Sequence, residues 1–324
     1  HRDLHSFPTR RSSDLDERVI SSIVPAAAAG SALADYLSAR FRYASPREWQ
    51  AFVEGGAVLV NALKASPGQL LAAGDRIDFF PPDRTEPAVD TDIAVVWEDG
   101  PAIVVNKPPL LPVHPGGRYF NNTLTRLLER RYGPLHVITR LDRETSGLVL
   151  LARDAGEARR LHTLQAEGKI DKRYLALVHG AFPEGETLAE GLLEADASSA
   201  VRKKRRFVAG SATVCSAAKA WAGDGGGECC ATVFLMEASW RAGDGPRSAV
   251  SARLLTGRTH QIRATLLALG YPIVGDKLYG LDVRRFIRFA GGGLSAEAHK
   301  SLVVPYQTPH CARLRLHDPH GRML

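Results

Sequence analysis

An aspartate set between two arginines is the first point in this sequence where side-chain types suggest chemistry. Asp142 lies between Arg140 and Arg143 in TRLDRETSGLVLLAR, residues 139–153, ahead of a Thr-Ser-Gly turn and an apolar run. Nearby guanidinium groups favour the charged form of a carboxylate and lower its pKa, as a nucleophile or base working near neutral pH requires. An aspartate that merely caps a turn beside solvated arginines would read the same way, and sequence physics alone does not separate the two. Arg263 sits in THQIRATLLALG, where Ile262, Leu266 and Leu269 recur at helical spacing, so the apolar face packs while the arginine projects elsewhere. A bidentate hold on a carboxylate suits it, although a surface arginine is the default for such a helix. Tyr174 falls in the strand-like run RYLALVHG, where an ordinary packed tyrosine is the plain alternative to a ring that stacks on a ligand.

Other chemistries lack their residues. Cys215, Cys229, Cys230 and Cys311 show neither C-x-x-C spacing nor a disulfide framework, and the histidines are scattered without an H-E-x-x-H pairing. We expect no metal, no cofactor and a reducing, cytoplasmic setting. GDGGG at 223–227 lacks the Lys-Ser/Thr of a P-loop and reads as a hairpin tip, so no nucleotide cofactor is expected. No run approaches the roughly 20 apolar residues that cross a membrane, so no membrane association is expected.

The elements that position these residues follow from periodicity. The chain has 324 residues, 44% hydrophobic and 24% charged, enough for more than one core. Residues 1–15 include HSFPTRRSSDL, the translation of one frame of a common sequencing-library adapter, and are read as a non-native leader. The net charge of +7 is little changed without them and suits a polyanionic partner. A small module is expected over 16–80, with helices at SALADYLSARF and PREWQAFVEGG followed by the strands AVLVN and GDRIDFF. Proline-rich PPDRTEPAVDTD, 81–92, reads as an extended linker rather than packed structure. Over 93–324, strands are expected at IAVVW, AIVVN, GLVLLAR, RYLALVHG, ATVFLME and VSARLLT, and helices at TLTRLLERR, EARRLHTLQAE and THQIRATLLALG. Helices and strands do not alternate strictly, so the fold class is α+β with a largely antiparallel mixed sheet. The run RKKRR, 202–206, is either a solvated loop or a salt-sensitive phosphate contact.

Five stretches in order resemble the RluA-type RNA pseudouridine synthases. R-L-D-R-x-T-S-G-L at 140–148 is similar to the family's catalytic motif, and VNKPPLLPVHPGG, 105–117, to its N-K-P-x-G-x-x-x-H-P segment, with Leu110 in place of the usual glycine. DKRYLALVHG, 171–180, resembles the K-x-Y-x-A-x-V-x-G strand, while TGRTHQIR and PIVGDKLYG, within 256–280, resemble the last two motifs. Thr139 stands where many members carry histidine. The resemblance implies isomerisation of uridine to pseudouridine, without cofactor, in structured RNA. It makes Asp142 the catalytic carboxylate, Tyr174 the ring against the target base and Arg263 the partner of the aspartate. Arg140 would fill the void left by the extruded nucleotide. Lys107, His114, Arg143, Thr145, Arg258, His260 and Gln261 would line the substrate site, the first two shaping the pocket and contacting phosphate. The N-terminal module resembles an S4 RNA-binding domain through Gly56 to Asn61 and Leu71 to Ile77. The RNA is expected to be a tRNA anticodon loop or large-subunit ribosomal RNA, met by a monomer. Against this stand a non-catalytic RNA-binding or ribosome-assembly protein on the same fold, and a hydrolase with an aspartate nucleophile. The second lacks a partner acid at suggestive spacing.

Overall fold

The computed structural model describes residues 19–41, 44–81, 86–116, 119–199, 201, 203–210, 227–280 and 303–317. The leader at 1–15, Arg202 of the basic run, Cys215 and nearly all of the 223–227 tip lie outside them. The chain divides into two compact units, His1–Pro87 and Ala88–Leu324.

In the first unit, strands β1 (Ile20–Ile23), β2 (Val58–Val60), β3 (Leu63–Lys64) and β4 (Arg76–Phe79) form an antiparallel sheet in the order β1-β4-β2-β3. Two helices accompany it, α1 (Leu33–Arg40) and α2 (Pro46–Glu54). The start of α2 is built by its sequence: Ser45 and Glu48 form a reciprocal capping box, and Pro46 occupies a position whose N–H would have no helical partner. That fixes the side of α2 carrying Trp49 and Val53, both buried. Trp49 meets Phe79 edge-on at 4.9 Å and donates its indole N–H to the Phe41 carbonyl at 2.9 Å.

The second unit is α+β, as its mixture of elements predicts. Its strands are β5 (Ala94–Asp99), β6 (Ala102–Lys107), β7 (His136–Val137), β8 (Ser146–Ala152), β9 (Ile170–His179), β10 (Glu186–Ala195), β11 (Arg205–Ala209), β12 (Glu228–Ala242), β13 (Gly245–Leu254) and β14 (His310–Leu316). They form one ten-stranded sheet in the order β11-β10-β12-β13-β9-β14-β8-β6-β5, with β7 beside β8. Among the described residues every pairing is antiparallel except β14 with β8. Helices α3 (Leu124–Tyr132), α4 (Ala155–Ala166) and α5 (Gln261–Ala268) complete the unit.

Within the 81–92 segment Val89 packs against the second unit's core, as does Ile93 just beyond it. Proline and charge mark extended backbone but do not reveal whether a valine among them finds an apolar surface. Strand β10, ETLAEGLLEA, carries no clear strand signal; sheet partners on both sides override the helix-forming tendency of its Glu, Leu and Ala.

The late strand β14 inserts at mid-sheet and so positions the site. Cys311 lies opposite both Tyr174 of β9 and Gly147 of β8, bringing the strand that follows Asp142 within one strand of Tyr174. Gly147 has φ +109°, and a Cβ there would run into the Cys311 backbone, so this crossing needs glycine.

Candidate active site

Asp142 occupies the turn between β7 and β8, closed by the Thr145 N–H donating to the Asp142 carbonyl at 3.1 Å. Its neighbours are tied down on several sides. The Lys107 Nζ, fully buried, donates to the carbonyls of Pro108, Leu111 and Arg143 at 2.8, 2.9 and 3.1 Å. Burial lowers the Lys107 pKa to about 7, while three carbonyl acceptors call for all three hydrogens of an ammonium. Glu144 receives the Lys277 Nζ at 2.8 Å and the Arg143 guanidinium at 3.1 Å, and Gln307 donates to the Thr145 hydroxyl at 2.7 Å. Thr139, the departure from the family pattern, is buried and accepts the Leu150 N–H at 2.9 Å, so it serves the turn.

Helix α5 supplies the counter-charge. Arg263 donates through Nη1 to Asp142 Oδ2 at 2.6 Å, and through Nε and Nη2 to the two oxygens of Asp276 at 2.7 and 3.0 Å. Asp276 is fully enclosed, and its Oδ1 also accepts the N–H groups of Leu278 and Tyr279 at 2.9 and 2.8 Å. The Tyr279 ring lies 4.8 Å beneath the guanidinium. Gly275, at φ +77°, leads into this arrangement where a side chain would meet the Tyr306 backbone.

Asp142 sits in a dense shell, yet 31% of its side chain remains open to solvent. Burial pushes its pKa up, but the Arg263 charge, His260 and hydrogen bonds from Arg263 and Gln307 outweigh it and hold the carboxyl below its ordinary value. The group is ionised and reachable. His260 takes the left-handed backbone at φ 59° as α5 begins, with Nε2 3.8 Å from Asp142 and Nδ1 2.9 Å from the Tyr279 hydroxyl. That hydroxyl also accepts the Arg205 N–H at 2.7 Å; if it gives its own proton to Nδ1, the imidazole proton sits on Nε2, toward Asp142. Burial first, then Arg263, lowers the His260 pKa to about 4, so the ring is neutral at pH 7.

Tyr174 is buried on β9 facing the core. Burial is the main cause raising its pKa, followed by the Cys311 thiol it hydrogen-bonds and by Asp142. Its hydroxyl is therefore neutral. Arg140 is exposed. His114 keeps solvent access, but crowding and then the Arg140 charge lower its pKa. Arg258 is also exposed, its Nε donating to the Cys229 carbonyl at 3.1 Å.

The structure brings Asp142, Arg263, His260 and Tyr174 together and leaves Arg140, His114 and Arg258 open to solvent. Lys107, Thr145 and Gln261 are 0%, 6% and 3% exposed and direct their polar atoms to partners inside the protein, and Tyr174 is as enclosed as Thr145. In Gln261, Oε1 accepts from Thr256 and the Arg258 N–H, while Nε2 donates to Ala231 and Thr232, riveting α5 to β12. Arg143 is partly buried and bonded to Glu144 and the Tyr119 hydroxyl. Sequence reasoning passed over Asp276 and Tyr279, although Gly-Asp-x-x-Tyr-Gly was visible as a motif; an Asp and a Tyr three apart shortly after Arg263 was the available signal.

Among the described residues no three His, Cys, Asp or Glu side chains converge as metal ligands, Cys311 is a free thiol, and no helix is long and apolar enough to cross a membrane.

The profile of the RNA pseudouridylate synthase family matches residues 101–268, which contain Asp142, Tyr174 and Arg263. The tRNA pseudouridine(32) synthase, mitochondrial, of Saccharomyces cerevisiae is 32% identical over 251 residues, 77% of this chain and 50% of that protein. Ribosomal large subunit pseudouridine synthase D of Xylella fastidiosa is 31% identical over 267 residues, 79% of this chain and 73% of its own length. Other curated relatives are likewise longer, the match spanning 61% of RNA pseudouridine synthase 7 from Oryza sativa. The solved structure of Human RNA Pseudouridylate Synthase Domain Containing 1 shares the fold, with a TM-score of 0.55 at 21% identity over 74% of this chain and 84% of that one. With a match over half its length and the motif order intact, the chain belongs to the RNA pseudouridylate synthase family.

Proposed function

We propose that this protein isomerises uridine to pseudouridine within structured RNA, with Asp142 as the catalytic carboxylate. The observation that carries this is the Asp142–Arg263 pair: a carboxylate kept ionised by a guanidinium 2.6 Å away while 31% of its side chain stays open to a ligand. The reaction breaks the N1–C1′ bond, turns the freed uracil and joins C5 to C1′, with the C5 proton lost and N1 protonated. An ionised Asp142 serves either route to bond cleavage, attack at C1′ or removal of a C2′ proton. The Tyr174 ring is assigned to contact with uracil, which requires that RNA binding uncover it, since only 6% of the residue is exposed here. Its raised pKa makes it a neutral phenol near pH 7, a poor base for the C5 proton.

Exposed Arg140 is assigned to the space vacated when the nucleotide swings out. His114 and Arg258 are assigned to phosphate contact, and the first unit to RNA binding as an S4-like module. Action as a monomer, without a nucleotide cofactor, belongs to the same proposal. The free Cys311 thiol fits a reducing compartment such as the cytoplasm. The names of the relatives point to both tRNA and large-subunit ribosomal RNA, and both are proposed substrate classes here.

Tritium release from RNA labelled at uridine C5 tests the reading. The intact protein is expected to release tritium from tRNA or ribosomal RNA transcripts, and Asp142→Asn to lose on the order of 10⁴-fold in rate, the scale for removing a nucleophile. Binding by both proteins with release by neither would replace the enzyme with a non-catalytic RNA-binding protein.

A further inference from the structure

The ten-stranded sheet has a second face beyond the one that carries Tyr174. On β9 the side chains of Ile170, Tyr174, Ala176 and Val178 are buried, so Arg173 and Leu175 alternate to the other side, where both are exposed. Arg173 lies directly opposite Arg253 of β13 and directly opposite Arg313 of β14. Residues opposed in antiparallel strands share a face, so three arginines stand in register across about 10 Å, two strand spacings. Arg315 follows on β14, opposite Asp171, the one carboxylate on this stretch of β9. Among the described residues no side-chain hydrogen bond or ion pair engages any of these four arginines. Like charges directly opposite one another destabilise a sheet; Asp171, opposite Arg315, stands beside the row, and Glu186, opposite Leu235, lies farther along the face, while the row of Arg313, Arg173 and Arg253 itself holds no carboxylate.

We propose that this outer face of β13, β9 and β14 binds phosphates of the RNA substrate, as a surface separate from the Asp142 pocket. The inference rests on the reading of the protein as an RNA-modifying enzyme. A second copy of the chain docked here about a twofold axis would set one arginine row against another, so charge complementarity favours the polyanion. Leu175 and Leu235, in line across the strands through Ser251 and both exposed, add apolar surface beside the row for ribose and base edges.

The test compares the intact chain with R173A/R253A/R313A and with the matching lysine triple, using tRNA and large-subunit ribosomal RNA transcripts between 50 and 200 mM KCl. The alanine triple is expected to bind at least tenfold more weakly at 50 mM. Its plot of log affinity against log salt should be shallower by about 2, at roughly 0.7 to 0.9 for each phosphate that is no longer neutralised. Its melting temperature at low salt should hold or rise, because repulsion is relieved, and the lysine triple should keep most of the salt slope. Unchanged affinity and slope in a folded alanine triple overturn the proposal. Should the alanine triple fail to fold, unchanged binding by R173E overturns it instead. Self-association of the intact protein that the triple abolishes, with RNA binding unaltered, gives the face to a second copy and also overturns it. Pseudouridine formation by the intact protein is read in the same samples. Its absence sinks the enzymatic reading while leaving the binding comparison standing.

Discussion

In the unit ending at Pro87, Leu33, Leu37, Trp49, Val53, Val58 and Ile77 fill the core, and Asp78 is its only buried charged residue among those described. The unit beginning at Ala88 encloses Lys107, Arg247, Asp276 and Lys277, and keeps the Arg263 side chain 12% exposed between two carboxylates. Removing a charge from water costs several kcal/mol, recovered only with close partners and satisfied hydrogen bonds. The small unit meets that cost once, at Asp78, which Arg76 and Ser21 hold, and otherwise packs apolar and aromatic side chains. The larger one accepts it around Asp142, because a carboxylate that must stay ionised and reachable needs a counter-charge fixed from behind. Asp276 provides that fixture: it takes two of the Arg263 nitrogens and leaves the third for Asp142. Lys107, Asp276 and Lys277 put most of the second unit's buried charge around Asp142, while Arg247 pairs with Asp244 at the β12–β13 hairpin.

Asp276→Asn strikes at this contrast with the largest expected effect. Breaking a buried pair costs about 3–5 kcal/mol, and the freed guanidinium should also lower kcat for tritium release roughly 10- to 100-fold with KM little changed. A stable variant with full kcat would show that Arg263 needs no fixture.

Trp49→Ala is expected to cost the first unit about 3–5 kcal/mol through the cavity left among Phe41, Phe52 and Phe79, read as diminished amide protection in α1 and α2. Protection in β9 and β13 should persist. A polar network carrying that unit would instead give a loss below about 1 kcal/mol.

His260 sharpens the comparison through pH. Its pKa of about 4 lies below the ordinary histidine value, so the unfolded chain binds the proton first as pH falls. The stability this contributes is complete above about 6.5 and is lost as pH falls to about 4. His260→Gln should flatten that part of the melting profile. The Asp142 pKa is also lowered, so its contribution disappears only at lower pH, and the acid limb of activity should lie below that of a free carboxylate. A profile unchanged by His260→Gln would place the buried titration elsewhere. Ser45→Ala, which removes the capping box of α2, should have the smallest effect, lowering the melting of the first unit by a few degrees without touching kcat.

Parts of this molecule are written locally. The α2 start follows from Ser-Pro-x-Glu, and the alternation in β9 and the helical spacing around Arg263 are set by neighbours two to four residues away. Asp142, Tyr174 and Arg263 are legible for a different reason, because their motifs survive intact in the resemblance. The sequence could not show that Lys107 and Gln261 turn inward, since nothing nearby states which carbonyls will surround an ammonium or an amide. It was equally silent on β10, whose residues favour helix until two strands flank it.

Residue types, periodicity and motif order by themselves determined the α+β class, most elements of the second unit and the family. Tertiary structure alone decided that β14 enters between β8 and β9, that Asp276 holds Arg263 from behind, and that Arg253, Arg173 and Arg313 line up across three strands. The first and third depend on strand register, which is fixed by burying one face of the whole sheet at once, and the second brings residues 13 positions apart, beyond the reach of helical spacing, into contact.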